Sequence, residues 1–87
     1  MRIPLGFGIQ LWLLRLKIND IDDEIYKLIC RRMEYAKYTN HYKTSIFDKR
    51  REEEVLTRLK KKGVMKDEMV EDLWKPLMKH CRMSQEE

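Results

Sequence analysis

Four polar side chains stand where the helical pattern of this chain calls for apolar ones. Leu11, Leu14, Ile18, Ile21, Ile25 and Leu28 recur at alternating steps of three and four, the stripe of one long helix. The next stripe position is Arg32, and Lys43 follows three turns later at nearly the same azimuth. Glu52 shares an apolar face with Val55, Leu56 and Leu59, one turn after Asp48 and beside Arg51. Gln85 falls four residues after Cys81, at the end of a stripe of Val70, Leu73, Trp74, Leu77 and Met78.

These residue types suit a particular kind of ligand. A guanidinium stays charged, and burying one unpaired costs several kcal/mol, roughly, so Arg32 needs an anion. Arginine forks grip carboxylates through two parallel hydrogen bonds. A carboxylate such as Glu52 accepts from a hydroxyl, while an amide and an ammonium donate to a further oxygen. The set therefore fits a pocket for a small molecule with two carboxylates and a hydroxyl. A plainer reading stays open: Arg32 and Glu52 form a buried salt bridge and Lys43 extends outward along its apolar stem.

Other chemistries fit less well. No Ser-His or Cys-His pair has a spacing suited to nucleophilic catalysis. Asp48 and Glu52 lack clear further ligands, so no metal is expected. The net charge of +4 has two readings, a basic surface without function or an anionic ligand that is either nucleic acid or a small polyanion. However, aromatic residues do not interleave with Lys49-Arg50-Arg51 or Lys60-Lys61-Lys62, and the second cluster sits where a helix end attracts cations. A small dianion is thus expected in preference to nucleic acid. Cys30 and Cys81 are far apart and form no C-x-x-C motif, which suggests two free, at least half-buried thiols in a reducing compartment. His41 and His80 are isolated and read as surface residues.

The elements that must position these groups are helical. Three Gly and two Pro in 87 residues leave little room for a multi-turn β fold, and good helix formers dominate. The expectation is an all-α single domain over residues 1–87, with residues 1–10 as an irregular lead. The first helix is expected from about Ile9 to about Lys43, its last turns weakened by Thr39, Asn40 and His41. Such a helix is about 50 Å long, whereas a compact domain of this size has a radius of gyration of only about 12 Å. Two short helices cannot cover that stripe, so an intertwined homodimer is expected.

The second helix is expected from about Phe47 to Lys62, with Ser45 as its cap and Asp48 as a capping-box-like partner. Gly63 would end it at C′, with Val64 as the accompanying hydrophobic contact. The third helix is expected from Asp67 as N-cap, kinked near Asp72 by Pro76. Ile3 to Leu14 has the outline of a secretion signal, but Pro4, Gly6, Gly8 and Gln10 interrupt it and no small-residue cleavage site follows. No stretch is long enough to span a membrane, and a cytoplasmic protein is expected.

In this order and spacing the polar residues resemble the all-helical class of chorismate mutases. The run Arg15, Arg32, Lys43, Asp48-Lys49-Arg50-Arg51-Glu52 and Gln85 is similar to that family's pattern. So is Leu14-Arg15-Leu16-Lys17-Ile18-Asn19-Asp20-Ile21-Asp22, which resembles its opening segment. The resemblance covers about residues 11 to 85 and implies an intertwined dimer of three-helix chains with two identical sites. It implies that Arg15 reaches from one protomer into the other's site. Arg15 and Arg32 point about 100° apart on an ideal helix, so they do not easily grip one ligand from the same chain.

The implied reaction is the Claisen rearrangement of chorismate to prephenate, on the route to phenylalanine and tyrosine, without a cofactor. The resemblance gives Arg15 and Arg32 the two carboxylates, and Lys43 and Gln85 the ether oxygen. Glu52, with Asp48 and Arg51 nearby, would hold the ring hydroxyl. Cys81 takes the place of a small polar residue that helps line the family's pocket. Two rivals remain: an isochorismate pyruvate-lyase on the same fold, and a non-catalytic helical dimerisation or nucleic-acid-binding module.

Overall fold

The computed structural model describes residues 5–42 and 47–85, with only the backbone described for Leu5 and Gln85. Three helices make up the described chain: α1 (Leu5–Thr39), α2 (Lys49–Lys60) and α3 (Asp67–Gln85). No strand occurs among the described residues, in agreement with the all-α expectation. The chain divides into two compact units, residues 1–32 and residues 33–87.

The first unit carries most of α1. The helix begins at Leu5, so the expected irregular lead is helical from Leu5 to Gln10. Gly6 and Gly8 each cost about 1 kcal/mol relative to alanine in a helix. The predicted stripe has no cover: Leu11, Leu14, Ile18, Ile21, Ile25 and Leu28 are between 44% and 57% exposed.

The second unit holds the end of α1 and the α2–α3 pair. α1 stops at Thr39, short of Lys43, where the Thr39 hydroxyl donates to the Ala36 carbonyl at 2.6 Å. Tighter i to i+3 bonds then carry the chain to Tyr42, which donates to the Thr39 carbonyl at 3.0 Å. α2 and α3 pack together. Lys60 meets Glu71 near the connecting turn and Glu52 meets Arg82 at the far ends, so the two helices run antiparallel. Val55, Val70, Met78 and Cys81 form the buried core, at positions the periodicity marks as inward. Leu73, expected in the same stripe, is exposed.

The helix ends differ from the sequence expectation in three places. Asp48 is itself the N-cap of α2: its backbone is extended and its carboxylate accepts from the Arg51 N–H at 3.0 Å. A carboxylate in that position satisfies an orphan donor and favours the helix dipole. The proposed Ser45 cap lies outside the described residues. Gly63 adopts a positive φ of 77°, which glycine tolerates freely, but α2 has ended at Lys60, with Lys61 as its C-cap. Val64 is 93% exposed, so it makes no hydrophobic closing contact. Asp67 is the first helical residue of α3, and Val70 donates to the carbonyl of Lys66 before it. α3 continues through Pro76 to Gln85.

Candidate active site

The two units hold different members of the predicted set. Arg15 lies exposed on α1 of the first unit, and Arg32, at its end, is half-buried. Asp48, Arg51, Glu52 and Cys81 lie in the second unit. Lys43 is outside the described residues, and Gln85 is placed by backbone only, one turn beyond Cys81 at the end of α3.

Their local environments differ. Asp48 is occupied by capping α2, an exposed structural role. Arg51 is exposed and 3.8 Å from Glu54, one turn along the same helix, a weak surface pair. Cys81 is 4% exposed and belongs to the α2–α3 core. Cys30 is exposed rather than half-buried, and neither Cys30 nor Cys81 is in a disulfide.

Glu52 is half-buried in the second unit, and its partner is one that the sequence reading missed. Arg82 donates through Nη1 to Glu52 Oε2, with the two side chains 25% and 22% exposed. The Arg82 guanidinium also lies over the Phe47 ring, 4.7 Å from its centroid. Residue 82 adjoins the inward position of Cys81 and follows Met78 by one turn, so it sits at the edge of the buried stripe. That edge position, together with a glutamate on the apolar face of α2, was the available signal.

A groove of about 920 Å³ runs between α2 and α3. Phe47, Glu52, Leu56, Pro76 and Arg82 line it, together with a cluster of charges. Of the predicted residues whose side chains are described, Glu52 alone lines this groove. Lys60 donates to Glu71 at 3.0 Å, and Lys75 approaches the same carboxylate at 3.5 Å. The hydrogen bond and charge of Lys60, reinforced by the charge of Lys75, hold the Glu71 carboxyl below its ordinary range. Among the described residues no group of three His, Cys, Asp or Glu side chains is placed to hold a metal ion. No helix among them is long and apolar enough to cross a membrane.

The sequence matches the family described as chorismate mutase type II over residues 14–86, nearly the whole chain. The chain belongs to that family. At the level of the family the match supports chorismate mutase chemistry, an isomerisation. A search of curated proteins and a search of solved structures returned no match.

Proposed function

We propose that this chain is a chorismate mutase, converting chorismate to prephenate in phenylalanine and tyrosine biosynthesis in the cytoplasm. One observation carries the reading: the family match over residues 14–86 spans every residue selected for its chemistry, from Arg15 to Gln85. A Claisen rearrangement is unimolecular and redistributes electrons within one molecule. The protein therefore has to hold a compact conformer and stabilise charge on the breaking ether oxygen. In this reading Arg15 and Arg32 bind the two carboxylates. Glu52 accepts from the ring hydroxyl, with Asp48 and Arg51 nearby, and Cys81 lines the pocket. Lys43 and Gln85 donate to the ether oxygen.

The site is assembled by a homodimer, in which Arg15 crosses from one protomer to the other. Support comes from the α1 stripe, whose six apolar side chains remain exposed in the isolated chain. A second copy offers the same stripe in return, which is how a two-fold interface closes.

An ultraviolet assay of chorismate disappearance, with the product identified, tests the reading. Prephenate is the expected product. Release of pyruvate from isochorismate without prephenate formation would establish the lyase instead, and no turnover of either substrate would leave a non-catalytic module. Lys43→Ala is expected to lower kcat by about a hundredfold or more with little change in KM, because the ether oxygen gains its charge only as the bond breaks. An equal loss in kcat and in substrate binding would argue against that role.

A further inference from the structure

We infer that Arg82 is a positioning residue for Glu52, an inference that rests on the mutase reading above. The pair joins the first turn of α2 to the last turns of α3 across 30 residues of sequence. Arg82 is held on two sides: its Nη1 donates to Glu52 Oε2 and its guanidinium plane is seated over Phe47. Phe47 directly precedes Asp48, the cap of α2, so the clamp grips the same turn that carries Glu52. Both side chains are about three-quarters buried, so solvent and salt screen the pair less than an exposed one.

A free glutamate side chain rotates about three bonds, and a carboxylate has two oxygens. Fixing Oε2 with a guanidinium settles the orientation of the group and leaves the second oxygen to meet a substrate hydroxyl. Arginine suits the task better than lysine, because its planar fork donates and stacks at once. Arg82 also adjoins Cys81 and precedes Gln85 by one turn. It therefore ties the α2 end of the proposed pocket to the α3 end without itself touching substrate.

The test compares Arg82→Met and Arg82→Lys with the wild-type chain, on chorismate and on an analogue whose ring hydroxyl is capped as a methyl ether. Arg82→Met is expected to lower kcat/KM for chorismate by about tenfold to a hundredfold, the scale of a misplaced substrate contact. Arg82→Lys should recover part of it. The penalty should vanish on the capped analogue, which has no hydroxyl for Glu52 to receive. In a Glu52→Gln background, Arg82→Met should add little further loss, since the two residues act as a unit.

A purely structural Arg82 predicts the opposite: the same penalty on both substrates, additive with Glu52→Gln, and tracking a fall in melting temperature. A rise in kcat/KM on Arg82→Met would equally overturn the inference, marking the ion pair as a lock that withholds Glu52. Should Arg82→Met fail to fold, Arg82→Lys carries the test alone through its relative activity on the two substrates; an equal penalty on both would overturn the inference. Failure of the mutase reading is separately visible, because the wild-type chain would then turn over no chorismate.

Discussion

The α1 stripe and the α2–α3 pair have the same kind of apolar periodicity and opposite fates. Leu14, Ile18, Ile21, Ile25 and Leu28 recur as regularly as Val70, Met78 and Cys81, yet the first group is exposed and the second is buried. α2 and α3 run antiparallel across a short turn, so each supplies the other's missing surface. The stripe on α1 repeats too far along one helix for that solution. The comparison separates two outcomes of one pattern: a core that the chain closes by itself, and a face that it leaves exposed. Burial of apolar area stabilises by about 25 cal/mol per Å². A six-residue stripe left open therefore represents a large unused driving force, consistent with the proposed dimer.

The largest test breaks the comparison on the α1 side. Ile18→Glu combined with Ile21→Glu places two carboxylates on the stripe. Under the proposed dimer, sedimentation should then give the monomer mass and turnover should fall by about a hundredfold or more, since Arg15 no longer reaches its site. A wild-type chain that already sediments as a monomer would remove the contrast.

On the other side, Met78→Ala hollows the α2–α3 core and should cost about 2–5 kcal/mol in urea unfolding. A loss well below that range would mean the α2–α3 pair is packed no better than the open stripe.

The smallest effect concerns the rim of the same pair. The Lys60 hydrogen bond and charge, with Lys75, depress the Glu71 pKa. A depressed carboxylate contributes stability above its ordinary value of 4.5, and that contribution is lost as pH falls through the lowered value. Glu71→Gln should therefore flatten the acid limb of a melting-temperature profile below about pH 4.5 and change little at neutral pH. An unaltered acid limb would show that the pairs with Lys60 and Lys75 do not contribute.

Most of the helices were legible because hydrophobic spacing reports the helical repeat directly. Glu52, Val55, Leu56 and Leu59 were read as the inward face of α2, and all four are buried or half-buried. What escaped depends on context. Residues 1–10 were expected as an irregular lead, but the chain is helical from Leu5, because a long helix absorbs weak propensities such as those of Gly6 and Gly8 once it is nucleated. Val64 looked like a capping contact, yet it is almost fully exposed.

Arg82 was missed for a different reason. Its partner is 30 residues away, and only the antiparallel register of α2 and α3 brings the two together. Glu52 was singled out as a carboxylate on the apolar face of α2, and Arg32 was weighed as a salt-bridge partner for it. Intra-helix patterns cannot choose between two such cations.

The two cysteines carry a last consequence. Cys30 is exposed on α1, whereas Cys81 is sealed inside the α2–α3 core. A thiol reagent therefore meets one group at once and reaches the other only when the helix pair opens. The slow phase of labelling is a clock for that opening, built into the chain without any added probe.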